Sequence, residues 1–222
     1  MRELQKHSRV PFDIEYLTMN PGYTAENLAL IHENAQKLLF SPVQFDSPIF
    51  ETLKEVKESP CHVCASMRRG YLYKEAQKLG CNKIALGHHK DDAVETILLS
   101  MFYGGEYKTM MPKLNSMNYP GMQLIRPLYF VRERDVIAWR EQMGIHCLTC
   151  ACVVTQKEDG GKRKRVKELL AMLEGETPPI LDNIFASIEH VNLQTVLGYK
   201  FTTKSDIIHV VDEIEKEKVQ ND

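Results

Sequence analysis

No stretch of this 222-residue chain keeps the run of about 18 apolar residues that a bilayer-crossing helix needs. Met1-Arg2-Glu3-Leu4-Gln5-Lys6 is followed by no apolar segment of the secretory kind. Internal repeats, low-complexity segments and a disorder-type composition are missing as well, and 43% hydrophobic residues suffice for a sizeable core. The expectation is a cytoplasmic protein without membrane contact, in which thiols stay reduced. Around Cys61-His62-Val63-Cys64 there is no aromatic-Cys-Gly-Pro setting of the thioredoxin type, which places metal ligation ahead of disulfide exchange. His88 and His89 have no third histidine or carboxylate at ligand spacing, which argues against a histidine metal site.

Charge of one sign is not in excess either, with 28 Lys+Arg against 30 Asp+Glu, but the distribution is uneven. Residues 206–222 form an acidic tail. Basic residues gather at Arg68-Arg69, at Arg126, Arg132 and Arg134, and at Lys162-Arg163-Lys164-Arg165 with Lys167. Such groups suit phosphates; a solvated helix start explains the last run equally well.

Alternation over residues 12–17 predicts a strand ending at Asn20-Pro21-Gly22, followed by a helix over 25–39 with Leu28, Ile31, Ala35 and Leu38 on one face. A short strand at 43–45, a helical stretch over 48–57 and a break at Ser59-Pro60 lead to the first cysteine pair, which opens the next helix. That helix ends at Gly80, and residues 83–86 read as a buried parallel strand. Residues 91–103 form a helix with Val94, Ile97, Leu98 and Met101 inward, 106–131 are irregular, and 132–143, 162–173 and 180–189 are helical. Strand-helix alternation predicts an α/β fold with an open parallel sheet. Residues 1–152 read as a nucleotide-binding and metal-cluster domain and 153–222 as a helical extension with a charged tail.

Two features carry chemistry. The turn Gly87-His88-His89-Lys90-Asp91-Asp92 follows a parallel strand, on the edge where such sheets bind ligands. Its amides can face a nucleotide, and Asp91 and Asp92 can organise Mg²⁺ or a reacting group; simple helix capping is the plainer reading. The six cysteines include Cys61 and Cys64 and a second group, Cys147, Cys150 and Cys152. Thiolate counting gives tetrahedral zinc and an iron–sulfur centre equal weight. Cys81 stands alone and is expected to pack.

The stretches 61–73 and 83–92, with Met101-Phe102-Tyr103-Gly104-Gly105, Met111-Pro112-Lys113-Leu114 and Ile125-Arg126-Pro127-Leu128, closely resemble the tRNA 2-thiocytidine synthetase family of PP-loop ATP pyrophosphatases. The resemblance implies an adenine nucleotide alpha-hydrolase-like fold and ATP- and Mg²⁺-dependent adenylation of a tRNA cytidine. Sulfur then replaces the activated oxygen at C2 with the help of a four-iron four-sulfur (4Fe-4S) cluster. It also implies tRNA and a sulfur donor, protein or sulfide, as partners, with a homodimer left open. Carried over residue by residue, it makes Cys61, Cys64 and Cys150 the cluster ligands, with Cys152 as the alternate third. Gly87 and His88 become nucleotide contacts, Asp91 and Asp92 the catalytic or Mg²⁺-binding acids, and Arg68 a basic group near the reacting atoms. The basic run at 162–167 would grip tRNA phosphates.

The family's Ser-Gly-Gly-x-Asp-Ser phosphate loop is absent from residues 1–222. The helix that follows that loop would hold residues 2–6, so the expectation is an N-terminally incomplete member, its first strand missing from the middle of the sheet. A loop supplied by another chain, or a member that no longer activates ATP, are the alternatives. Thiolation of a uridine, a zinc-stabilised RNA-binding module and an inactive fragment stand as rival functions.

Overall fold

The structure, a computed structural model, describes residues 1–56, 60–148, 161–200 and 207–209, and the side chains at 60–62 lie outside that description. Helix α1 spans Arg2–His7 and rests its arginine on the end of the next helix, where Arg2 donates to the carbonyl oxygens of Leu38 and Leu39. Strand β1, Leu17–Asn20, pairs in parallel with β2, Val43–Asp46, in the register Leu17 to Val43. The strand expected over residues 12–17 therefore begins only at its last residue. Residues 12–16 alternate in sequence but pair with no strand apart from the Tyr16 carbonyl, which accepts from the Val43 amide.

Between the two strands lies α2, Ala25–Lys37, capped by the Thr24 side chain and facing inward through Leu28, Ile31, Ala35 and Leu38 as its periodicity predicts. Helix α3 is a short Ile49–Leu53. Helix α4, Pro60–Lys78, carries Cys61 and Cys64 near its start. Gly80, at φ +71°, closes α4 because that backbone region costs glycine nothing.

The second sheet holds β3 (Lys83–Ala85), β4 (Lys113–Asn115) and β5 (Gln123–Ile125) in the order β3-β5-β4, with β3 parallel and β4 antiparallel to β5. Two corrections arise here. The segment 106–131, read as irregular, contains β4 and β5; each is three residues long, too short to show alternation. Strand β3, read as buried, exposes Lys83 and Ala85, because it lies on the edge of its sheet.

The α/β fold with parallel core strands is thus present, but in two pieces: among the described residues no strand joins β1 to β3. Helix α4 spans the division by contacting both. Its Tyr73 and Ala76 share a core with Met122 and Leu124, against which Leu17, Ile84 and Cys81 pack.

Helices α5 (Lys90–Gly104), α6 (Glu133–Gln142), α7 (Gly161–Glu176) and α8 (Ile180–Ser187) complete the main body, and Gly198–Tyr199 and Ile208–His209 form a small antiparallel pair, β6 and β7. Helices α5, α7 and α8 bury Ala93, Val94, Leu98, Val166, Leu170, Leu181 and Phe185 together with Tyr129. The helical C-terminal region therefore shares a core with the helix that follows β3. Met101, expected to face inward, is 46% exposed, whereas Glu95 on the same helix is only 1% exposed. The residues of 206–222 other than 207–209 lie outside the description.

Candidate functional site

Strands β3 and β5 run parallel, so their carboxyl ends open on one edge, and the chain leaves them at Gly87-His88 and at Arg126. Ligands bind on this edge of an open α/β sheet. Gly87 has no positive φ, and a β-carbon built on it would meet no atom within 4 Å. Neither backbone strain nor packing requires a glycine there. A ligand approaching the backbone closely would.

His89 is the N-cap of α5. Its Nδ1 accepts from the Asp92 amide at 3.4 Å, while its own amide donates to Asp92 Oδ2 at 3.0 Å, a reciprocal capping box. Histidine and aspartate in these positions satisfy two otherwise orphaned amides. His88 is half-buried and its Nδ1 has no partner. Burial holds its pKa below the ordinary value; Asp92 pulls it up, and Arg126 and Arg163 push it further down.

The two acids of the turn differ in what they hold. Helix α6 begins after Arg132, whose side chain provides no capping oxygen, and the missing acceptor comes from α5: the Glu133 amide donates to Asp91 Oδ2 at 2.7 Å. Arg132 Nε lies 3.3 Å from the same oxygen, and its Nη2 is 2.8 Å from Glu174 on α7. Asp91 thus ties α5, α6 and, through Arg132, α7. Asp92 faces Arg163 at 3.2 Å.

Behind Asp92, Glu95 is paired with Arg163 at 2.7 Å and Lys167 at 3.6 Å; Lys167 also reaches Glu133 at 2.7 Å. Burial raises the Glu95 pKa, with Arg163 and Lys167 opposing it. Burial also works against the charge of Lys167, but its bond to Glu133 and the neighbouring acids outweigh it and raise its pKa. Two of the five residues of the basic run, Arg163 and Lys167, therefore answer internal acids. Lys162 lies over the Tyr103 ring at 4.7 Å, and Lys164 and Arg165 are exposed.

Cys64 is half-buried against Ile49 and Leu53, and Cys61 stands three residues earlier on α4. Arg68, one turn on, lies beside Cys64 and reaches the Tyr23 hydroxyl at 3.5 Å. Burial lowers the Arg68 pKa, but Tyr23 and Cys64 outweigh it and raise it. Tyr23 follows the end of β1, so Arg68 links the first cysteine helix to a strand's carboxyl end. Cys147 is exposed in the loop after Gly144. Backbone atoms of that loop are bonded to α2, with Asn34 donating to the His146 carbonyl at 2.7 Å and Lys37 to that of Gly144 at 3.0 Å. Cys150 and Cys152 lie outside the described residues, and so does the convergence of the two cysteine groups. Among the described residues no cluster of three metal-ligating side chains forms. Cys81 packs as expected, its pKa raised by burial and by Glu15.

Two features escaped the sequence reading. Glu95 stands three and four residues after Asp92 and Asp91, and Arg163 and Lys167 are four apart; those spacings were the available signal for a shared ionic cluster. Arg126 was visible as one of a basic group with Arg132 and Arg134 and as part of a resemblance motif, neither of which signals that it is only 9% exposed.

The PP-loop domain family matches residues 56–150, which sets the class of protein that this strand-end turn and the cysteine-bearing helix define. The chain belongs to the tRNA-cytidine(32) 2-sulfurtransferase family. It is 34% identical over 200 residues to the member from Geobacter metallireducens, covering 89% of this chain and 77% of that protein. To the member from Ralstonia pickettii it is 38% identical over 196 residues, covering 85% of this chain. The chain spans 60% of the length of the Ralstonia pickettii protein and 65% of that from Anaeromyxobacter sp.. Among solved structures, the U34-tRNA thiolase NcsA from Methanococcus maripaludis with its [4Fe-4S] cluster superposes with a TM-score of 0.66 at 17% identity, over 94% of this chain and 73% of that one. That likeness establishes the shared fold. No helix among the described residues is long and apolar enough to cross a membrane.

Proposed function

We propose that this chain takes part in ATP-dependent, iron–sulfur-dependent transfer of sulfur to C2 of a cytidine in cytoplasmic tRNA. In this reading residues 1–152 carry the nucleotide and cluster chemistry and 153–222 are the helical extension. The observation that carries it is the placement of a turn with a ligand-accepting glycine, Gly87, at the end of β3, in a chain whose curated relatives are tRNA-cytidine(32) 2-sulfurtransferases.

Cytosine C2 is a weak electrophile with a poor leaving group. Transfer of AMP to its oxygen releases pyrophosphate and converts that oxygen into part of a good leaving group, which departs as AMP when sulfur attacks. Gly87 and His88 are assigned to the nucleotide. Asp92 is assigned to Mg²⁺ as the more exposed of the two acids, its side chain 20% exposed against 13% for Asp91. Asp91 contributes by fixing the turn. Arg68 is assigned to negative charge developing on the phosphates, as positioned cations are.

The donor set at α4 fits a soft metal centre: Cys64 supplies a half-buried sulfur of the kind such centres take, with a guanidinium beside it. Cys61 and Cys64 would hold a four-iron four-sulfur cluster, with Cys150 as third ligand, and the cluster would supply iron that binds the sulfur to be transferred. Lys164 and Arg165 are assigned to tRNA phosphates, which fix register without reading sequence.

The test is anaerobic incubation of reconstituted protein with ATP, Mg²⁺, sulfide and unmodified tRNA, followed by nucleoside mass spectrometry and metal analysis. 2-Thiocytidine that requires ATP, with iron bound and lost on Cys64→Ser, is the expected result. Thiouridine without thiocytidine, or stoichiometric zinc without iron, refutes the assignment.

A further inference from the structure

Asp92 and Glu95 share one guanidinium nitrogen. Arg163 Nη1 donates to Glu95 Oε2 at 2.7 Å and to Asp92 Oδ1 at 3.2 Å. The other Asp92 oxygen accepts the His89 amide at 3.0 Å in the capping box, so Oδ1 is the oxygen that Asp92 has left for a cation, and among the described residues it is Arg163 that faces it. Lys167 does not relieve this competition. It stands 3.6 Å from Glu95 Oε1, the oxygen that Arg163 does not use, and is held more closely by Glu133 at 2.7 Å.

The surroundings decide which carboxylate has the stronger claim. Glu95 is 1% exposed, so its charge needs a cation beside it, whereas the Asp92 side chain is 20% exposed and keeps water as an alternative. The shorter distance and the drier setting both favour Glu95. Asp92 Oδ1, a hard oxygen of the kind Mg²⁺ takes, is therefore held only loosely by the guanidinium.

We propose that Arg163 is an internal rival of the cation at Asp92, and that Glu95 is a positioning residue which draws the guanidinium away and keeps Oδ1 accessible. A divalent ion that takes Oδ1 leaves Arg163 its bond to Glu95, so neither charge is stranded as the ion arrives or departs. The inference deepens the proposed function and rests on its assignment of Asp92 to Mg²⁺.

The experiment titrates the full chain with Mn²⁺, whose free form is read by electron paramagnetic resonance, without ATP or tRNA. The site under test is the one that Asp92→Asn removes. Arg163→Gln should tighten it about 2- to 5-fold, the worth of a partly exposed ion pair. Glu95→Gln, which keeps the shape of the side chain but not its charge, should weaken it by a similar factor. In the double variant that weakening should largely disappear, because no guanidinium remains to settle on Asp92. Arg163→Lys alters a side chain that is 49% exposed, retains the charge and should bind within about twofold of the parent.

A weakening by Glu95→Gln that persists undiminished in the double variant, an Arg163→Gln chain whose Mn²⁺ affinity is unchanged or lower, or a parent chain without an Asp92-dependent Mn²⁺ site overturns the proposal. If Glu95→Gln does not fold, the two Arg163 variants still decide it. Thiolation is scored on the same preparations. A chain that thiolates while its Mn²⁺ affinities fail these tests sinks the rivalry alone; one whose affinities follow the pattern without thiolation sinks the assigned reaction alone.

Discussion

Replacing Asp91 with alanine separates a load on the fold from a load on the chemistry. The substitution removes the acceptor for the Glu133 amide at 2.7 Å and half of the Arg132 pairing at 3.3 Å. Loss of an N-terminal helix cap costs about 1 kcal/mol, within a range of roughly 0.5–2. Arg132 and Asp91 are each 13% exposed, so their pair lies between the surface and buried cases, and Arg132 keeps Glu174 at 2.8 Å. About 1–2 kcal/mol follows for that part, well below the cost of stranding a buried charge.

The sum, about 2–3 kcal/mol, corresponds to a fall in Tm of roughly 5–10 °C for a chain of this size. Asp91→Asn keeps an oxygen for the amide and should lose about half as much. Asp92→Asn, which retains an acceptor for the His89 amide, should melt within about 1 kcal/mol of the parent while abolishing thiolation. Calorimetry and urea denaturation read the first quantity, and the tRNA assay reads the second. If Asp91→Ala melts within 1–2 °C (roughly the spread expected for a neutral surface change), Asp91 does not hold α6 and the division of labour between the two acids is wrong.

Gly87→Ala should leave stability within about 0.5 kcal/mol, because the added methyl meets open space, yet weaken nucleotide binding tenfold or more; a large drop in Tm with unchanged binding would contradict the ligand-approach argument. His88 has a pKa depressed below 6.5, so the folded chain binds fewer protons than the unfolded one. The stability it contributes is complete above about pH 6.5 and is lost as pH falls through the folded value, so Tm measured across this range should decline less steeply in His88→Gln than in the parent. Glu95→Ala should cost about 1–3 kcal/mol and speed amide exchange over residues 166–170 before other helices respond, since it frees Arg163 and Lys167 from α5; uniform acceleration across the chain would argue against a local clamp.

Helices α2 and α4–α8 were legible because each is long enough to repeat a period of 3.6, and because Gly80 and Gly105 mark ends whose chemistry is local. Strands of three residues give no period, so β4 and β5 were hidden, and the alternation at 12–16 was a pattern without a pairing partner. Met101 and Glu95 were exchanged for a related reason. Apolar periodicity reports which face of α5 is inward but not that an ionic cluster occupies part of it, and Glu95 is buried only because Arg163 and Lys167 arrive from a helix some 70 residues later. The acidic turn was legible as a unit, whereas the different tasks of its two carboxylates depend on where α6 begins, a fact of tertiary packing.

Helix α6 has 10 residues and is a rod about 15 Å long. One end is gripped by Asp91 at its first amide. The other runs through Gly144 into the thiol-bearing stretch at Cys147, itself moored to α2 by Asn34 and Lys37. The turn after β3 and the loop that carries Cys147 are thereby held at opposite ends of one short rod, each by contacts to a different helix.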